Sequence, residues 1–169
     1  NVGLNSQFGA NVTLNDCAFS GSPEHNVGVV VSLGAQAYLN GCTIVGFEVG
    51  AEIDSGGTGE LIINDSTIAG SSAYGIWITH GLVEVHDSQI LNGGIFNVVC
   101  EQSSTTDCHV NMTNNYWGTE SEDQIAWTIF DAADDPDLCC TVDFIPYQGL
   151  VATESHSWSD VKGLFRDDE

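Results

Sequence analysis

The chain has 169 residues, 42% hydrophobic and 15% charged, enough apolar side chains to bury one continuous core, which excludes an intrinsically disordered segment. Its 24 acidic residues face 2 basic ones, Lys162 and Arg166, for a formal net charge of −22 at pH 7. That surface repels phosphate backbones and anionic lipid and attracts cations, so nucleic-acid and membrane-surface binding are excluded, and no run of about 18 apolar residues exists to span a bilayer.

Five segments align along the chain: NVTLNDCAF from Asn11, QAYLNGCTI from Gln36, ELIINDSTI from Glu60, LVEVHDSQI from Leu82 and HVNMTNNYW from His109. Their closing large apolar residues, Phe19, Ile44, Ile68, Ile90 and Trp117, are 25, 24, 22 and 27 residues apart. A steady period with small length changes describes a solenoid whose loops vary while its strands do not. Within each segment apolar residues alternate with period two, the spacing of a strand with one buried face. The alternation predicts two inward columns, Val12, Ala37, Leu61, Val83 and Val110, then Leu14, Leu39, Ile63, Val85 and Met112.

A second strand precedes the next aligned segment in each coil, with Val29, Ala51, Ile76 and Val98 in one column and Val31, Ile53, Ile78 and Cys100 in another. Gly28, Gly50, Gly75 and Asn97 stand just before them, residues that tolerate positive φ at a bend. Asn and Asp crowd the corner after the first strand, at Asn15-Asp16, Asn40-Gly41, Asn64-Asp65 and Asn114-Asn115, where side chains can bond the turning backbone and stack from coil to coil. The expected fold class is all-β, a right-handed parallel β-helix of about five rungs over residues 1–147, with a short C-terminal capping helix and an extended tail over 148–169.

Asn1-Val2-Gly3-Leu4 aligns on Asn26-Val27-Gly28-Val29, so the chain opens in the middle of a rung, without Met or a basic leader. This suits a processed mature protein or an excised fragment. An open rung exposes an apolar cross-section and unpaired strand edges, so the expected partner on that face is a second subunit stacking head to tail or an upstream β-helix region.

These rungs resemble the right-handed parallel β-helix repeats of the pectate-lyase-like superfamily, from about Asn1 to Tyr147. The sharpest likeness is Asn114-Asn115-Tyr116-Trp117-Gly118, then Ile125, Ile129 and Asp131, then Asp134-Asp135-Pro136-Asp137-Leu138 leading to Val142-Asp143-Phe144-Ile145-Pro146-Tyr147. That string is similar to the segment that closes the solenoid in secreted microbial β-helix proteins. The residues themselves agree: Thr119 can N-cap a short helix with Glu122 as its capping-box partner, and Ile125, Ile129 and Trp127 offer apolar contacts. In the tail, Trp158, Val161, Leu164 and Phe165 sit at helical spacing, which suits docking on the domain itself or on a neighbouring subunit.

Six cysteines in an extracellular-looking chain imply bridges. Cys17 and Cys42 share a column one period apart, and stacked strands lie about 4.8 Å apart, which suits a disulfide worth roughly 3 kcal/mol in the chain-entropy model. Cys100 and Cys108 flank the insertion of residues 102–107, so a local bridge is the economical pairing. Cys139 and Cys140 then stand as a vicinal pair, with a crossing to the Cys100 loop or an intersubunit bond as alternatives. Zinc is disfavoured, because no Cys-x2-Cys spacing is present.

Polysaccharide lyases on this fold resemble one another in using basic residues, and the only two here lie in the tail, so no catalytic residue is expected on the rungs. Glycosidase chemistry needs only paired carboxylates, which corner residues Asp16, Asp65 and Asp87 could supply, although corner aspartates are usually structural. Asp131, Asp134, Asp135 and Asp137 gather four carboxylates in seven residues, a candidate Ca2+ site by ligand chemistry, though without the spacing of an EF-hand loop. Tyr38, Tyr74 and Trp77 fall on outward positions and could stack on sugar rings, while His80 and His86 form no metal spacing. Asn11-Val12-Thr13, Asn64-Asp65-Ser66 and Asn111-Met112-Thr113 match the glycosylation acceptor pattern at outward asparagines. The functional expectation is a non-catalytic extracellular structural or adhesive protein, with a filament subunit as one form of it; the alternative is a carbohydrate-binding or hydrolase-like domain with glycans as ligands.

Overall fold

The computed structural model describes residues 2–24, 26–54, 59–102 and 108–149. The helical spacing of Trp158, Val161, Leu164 and Phe165 in the tail lies outside the described residues.

The chain winds as a right-handed parallel β-solenoid of about five turns. The first coil carries β1 (Val2–Ser6), β2 (Asn11–Asn15) and β3 (Ala18–Ser20). The second repeats them as β4 (Val27–Ser32), β5 (Gln36–Asn40) and β6 (Thr43–Val45). The third has β7 (Val49–Asp54), β8 (Glu60–Asn64) and β9 (Thr67–Ala69), and the fourth β10 (Tyr74–His80), β11 (Leu82–His86) and β12 (Gln89–Leu91). The fifth has β13 (Phe96–Cys100) and β14 (Cys108–Asn111), with a bridge from Gln89 to Tyr116 where a third strand would stand. The helix α1 (Glu122–Ala126) then leads into β15 (Ile129–Phe130) and β16 (Cys140–Asp143).

Strands from equivalent places form three parallel sheets: sheet A runs β1-β4-β7-β10-β13-β15, sheet B β2-β5-β8-β11-β14-β16, and sheet C β3-β6-β9-β12. The register joins the residues that the sequence columns predict. Leu14 pairs with Leu39, Leu39 with Ile63 and Ile63 with Val85 in sheet B. Val29, Ala51, Ile76 and Val98 are successive partners in sheet A, as are Phe19, Ile44, Ile68 and Ile90 in sheet C. Leu39, Ile44, Ile53, Leu61, Ile63, Ile68, Ile76, Ile78 and Ile90 are fully buried in one cluster. Each such side chain contributes roughly 1.5–3 kcal/mol of burial, so the axial stack is the main source of stability.

Two glycine and asparagine devices let the coils stack so closely. Gly28, Gly50 and Gly75 do not have the positive φ expected of them; they are required by close approach instead. A Cβ at Gly50 would lie 2.5 Å from the Gly75 carbonyl oxygen and 2.7 Å from Ile68 Cγ2, and one at Gly75 would lie 2.5 Å from the Asn97 carbonyl oxygen. The left-handed residues sit at the corner between sheets B and C, where Asp16, Gly41, Asp65, Asp87 and Asn114 all have φ between 49° and 63°. Asx side chains tolerate that conformation better than other non-glycine residues.

The next position holds a polar ladder, half-buried at Cys17 and buried from Cys42 through Ser66 and Ser88 to Asn115. Cys42 N–H donates to Ser66 Oγ at 2.9 Å, Ser66 N–H to Ser88 Oγ at 3.0 Å, and Ser88 N–H to Asn115 Oδ1 at 2.8 Å. Each hydroxyl or thiol also donates back two residues, Ser66 to Asn64 O at 2.7 Å, Ser88 to His86 O at 2.8 Å, Cys42 to Asn40 O at 3.5 Å and Cys17 to Asn15 O at 3.4 Å. Asn115 closes the ladder by donating to Val85 O and Met112 O. Beside it runs an asparagine ladder, in which Asn64 Nδ2 donates to Asn40 Oδ1 at 3.3 Å and Asn40 Nδ2 to Asn15 Oδ1 at 3.1 Å.

The cysteine pairing departs from the first-choice bridges and follows the alternative in which Cys139-Cys140 crosses to the Cys100 loop. Cys17 and Cys42 are free thiols, because each sulfur occupies a ladder position and faces a carbonyl. The bridges are Cys100–Cys140 and Cys108–Cys139, in place of the local Cys100–Cys108 and vicinal Cys139–Cys140 pairs. Neighbouring residues at a strand project to opposite sides, so buried Cys140 meets Cys100 across the interior while Cys139 takes Cys108.

The capping helix is where the sequence places it, but its N-cap is Ser121, whose Oγ accepts from Gln124 N–H at 3.4 Å; Thr119 instead accepts from Ser121 N–H at 3.2 Å. Ser121-Glu122-Asp123-Gln124 itself spells a capping-box sequence, shifted by two residues from the Thr119 start. Ile125 and Ile129 are buried as expected, whereas Trp127 is 78% exposed. Trp117 packs edge-on against Phe144, and Tyr147 donates its hydroxyl to Glu120 O at 3.0 Å. At this end Val142 and Tyr147 are buried, while at the other Leu4, Leu14 and Phe19 of the first coil are only partly covered.

Candidate functional site

Two outward surfaces bring chemistry-bearing side chains together. On sheet A, the outward side chain of Trp77 lies beside Glu52 of the preceding coil, its register partner, and its Nε1 donates to Glu101 Oε2 of the following coil at 2.9 Å. Tyr74 stands 5.8 Å from Trp77, ring centre to ring centre, inclined by 58°. The β7–β10 register slips between Ile78 and His80, and Thr79 Oγ1 donates to Ile53 O at 3.1 Å and Asp54 Oδ1 at 3.3 Å. Burial, then the neighbouring Asp54 carboxylate, pushes the Glu52 carboxyl above the usual range. The result is an aromatic pair edged by three carboxylates, an arrangement able to stack a sugar ring and bond its hydroxyls.

On sheet B, Asn11 Nδ2 donates to Gln36 Oε1 at 2.9 Å, and Gln36 Nε2 and the Tyr38 hydroxyl both donate to Glu60 Oε2 at 2.8 Å. The bond to Glu60 raises the Tyr38 phenol above its ordinary value, with desolvation a smaller cause. Tyr38 is therefore tied down at its hydroxyl, whereas Tyr74 and Trp77 meet each other on sheet A, where Phe96 and Phe130 form a second pair in the following coils.

Farther along the same sheet, a groove of about 630 Å3 is lined by His109, Asn111, Thr113, Val142, Asp143, Phe144 and Ile145. Thr141 Oγ1 and His109 Nδ1 are 2.9 Å apart, and His109 Nδ1 lies 3.5 Å from Asp143 Oδ2, on exposed side chains. His86 is elsewhere, bonded through Nδ1 to Thr113 O at 3.1 Å, and His80 ends β10 on sheet A opposite Asp54. No protein-family model, curated protein or solved structure matches this chain.

The remaining predicted site residues are engaged by the backbone. Asp131, 8% exposed, accepts from Ala133 N–H at 2.8 Å through Oδ1 and from Val142 N–H at 2.9 Å through Oδ2. Asp134 accepts from Asp131 N–H and Asp135 from Asp137 N–H, so three of the four carboxylates hold the backbone of a turn, while Asp137 enters through its N–H. Among the described residues no group of three or more His, Cys, Asp or Glu side chains is placed to hold a metal ion. Asp16, Asp65 and Asp87 are exposed residues of the left-handed corner. Asn11 and Asn111 are exposed, whereas Asn64 is half-buried within the asparagine ladder. Sequence reasoning missed Glu52, Asp54, Thr79 and Glu101; the signal was present in the register, which sets Glu52 and Glu101 one coil to either side of Trp77 and Thr79.

Proposed function

We propose that the chain is a non-catalytic extracellular structural or adhesive module of the pectate-lyase-like β-helix type, built to be stiff and durable. The observation that carries this reading is the way side chains close on one another along the axis: the Cys-Ser-Asn ladder inside and the Asn15-Asn40-Asn64 ladder at the corner. Side chains committed to such rows stiffen a rod and are poorly placed to exchange protons with a substrate. Two disulfides beside the closing coil add covalent restraint and suit an oxidising compartment.

Assembly through the first coil is part of the proposal. Its inward residues Leu4, Leu14 and Phe19 are partly covered, and the β1 and β2 edges offer hydrogen bonding to another coil, whether of an upstream β-helix region or of a second subunit. Ile125, Ile129, Val142 and Tyr147 already cover the opposite end, so simple head-to-tail stacking would have to displace them, and a partner bearing its own open coil fits better. The test is light scattering across a concentration series, with and without Ca2+. A dimer formed through the first coil, abolished by Leu14→Glu, supports the reading; a monomer under every condition, together with no binding to solenoid partners, refutes it.

A second reading, carbohydrate interaction, is favoured by the Tyr74–Trp77 pair with Glu52, Asp54 and Glu101 around it. A glycan array with wild type and Trp77→Ala separates the two: binding lost in the variant supports the sugar reading, and no binding by wild type removes it.

A further inference from the structure

We propose that the groove at the end of sheet B is the seat of an N-linked glycan carried by Asn111, and that the fold accepts a glycan there and disfavours one at Asn64. The inference rests on the extracellular reading above, since a chain that acquires two disulfides meets the oxidising route on which Asn-x-Ser/Thr sequences are modified.

The three acceptor sequences are alike on paper and different in the fold. At Asn64 the side-chain Nδ2 donates to Asn40 Oδ1 within the corner ladder, and Ser66 is 3% exposed with its hydroxyl donating to Asn64 O and accepting from Cys42 N–H. A sugar on that nitrogen would push apart the stacked amides. At Asn11 the nitrogen donates to Gln36 Oε1 on the open face of sheet B, a bond that water can replace. At Asn111 the oxygen does the work: Oδ1 accepts from Thr113 Oγ1 at 3.0 Å and from Thr113 N–H at 3.3 Å. Nδ2 is left without a hydrogen bond to any described residue, on an exposed side chain that itself lines the groove.

The lining suits a pyranose. Phe144 and Ile145 offer apolar surface for a ring face, and His109, Thr113 and Asp143 offer donors and acceptors for its hydroxyls and acetamido group. In the modification itself, Asn111 Nδ2 forms a C–N bond to the anomeric carbon of a lipid-diphosphate-linked sugar. The lipid diphosphate leaves with the bonding pair, and one amide proton passes to a base of the transferring enzyme. The first sugar is then tethered at the groove, so even weak contacts order it.

The experiment maps glycans on native protein, using amidase release in heavy-oxygen water followed by peptide mass spectrometry at Asn11, Asn64 and Asn111. Expected is a glycan at Asn111 and none at Asn64, with Asn111→Gln and Thr113→Ala each removing one glycan from a protein that keeps its strand circular dichroism. If the groove holds the sugar by as little as one net hydrogen bond, the fraction left exposed to amidase falls about fivefold in the native protein relative to the denatured one. A glycan at Asn11 with Asn111 bare overturns the inference while leaving the extracellular reading intact. All three sites bare in native secreted material overturns it too and removes glycosylation from that reading. Equal release rates from native and denatured protein overturn the seating in the groove.

Discussion

Replacing Ser66 by Ala removes one rung of the internal ladder and touches little else. The Ser66 hydroxyl is buried, accepts Cys42 N–H at 2.9 Å and donates to Asn64 O at 2.7 Å. Its loss leaves the Cys42 N–H inside the corner with no partner, a penalty of about 1–3 kcal/mol, and forfeits a second bond worth about 0.5–1.5 kcal/mol. The expected destabilisation is therefore about 2–4 kcal/mol, or roughly 4–16 °C in Tm for a domain of this size. Ser66→Cys supplies the control, because Cys17 and Cys42 occupy the same ladder in their own coils and bond the carbonyl two residues back. A thiol at this position should restore about half of the loss. Urea unfolding followed by far-ultraviolet circular dichroism measures both variants against wild type. If Ser66→Ala falls within about 0.5 kcal/mol of wild type, the range of an ordinary surface substitution, the ladder is not a source of stability and the reasoning fails.

Three further outcomes follow from the same geometry. Gly50→Ala drives a methyl against the Gly75 carbonyl and Ile68, and should cost about 1–3 kcal/mol by urea unfolding, whereas Gly9→Ala, with open space around its Cβ, should show only the strain of its positive φ. Thiol titration should find two free cysteines after denaturation without reductant, with Cys42 slow to react in the native state, and peptide mapping should return Cys100–Cys140 and Cys108–Cys139; a Cys17–Cys42 peptide would contradict the ladder. Because the folded Glu52 carboxyl titrates above its ordinary value of 4.5, its share of stability is present below that pH and declines as pH rises through the folded value. Glu52→Gln should accordingly stabilise the protein at neutral pH and flatten that part of the stability profile; an unchanged profile would show that burial beside Asp54 does not penalise the charge.

The architecture was legible because a solenoid writes its core into the sequence once per coil. Leu39, Ile63 and Val85 stand at equivalent places among alternating residues, and inward pointing follows from strand geometry with no knowledge of the rest of the chain. What a shared column does not say is which atom a side chain faces. Cys17 and Cys42 stack as expected, but their sulfurs serve backbone carbonyls as Ser66 and Ser88 do, so stacking alone was misread as bonding. Cys100 and Cys140 come from different sheets 40 residues apart, and pairing across the interior depends on how the closing coil returns, which no local spacing encodes. The glycine column was read as a set of bends for a similar reason, since the contact that requires Gly50 is with the next coil's backbone. The carboxylates around Trp77 needed the register between coils, and the backbone bonds of Asp131 needed the closing turn itself.

The solenoid requires side chains a coil apart in sequence to touch along the axis. Methyl-to-methyl nuclear Overhauser spectra of the labelled protein test it directly, through the series Leu39, Ile63 and Val85. Strong cross-peaks from Leu39 to Ile63 and from Ile63 to Val85, with no water contact, are predicted from their register and complete burial. Methyls that exchange magnetisation with water, or that see partners from other registers, would contradict it.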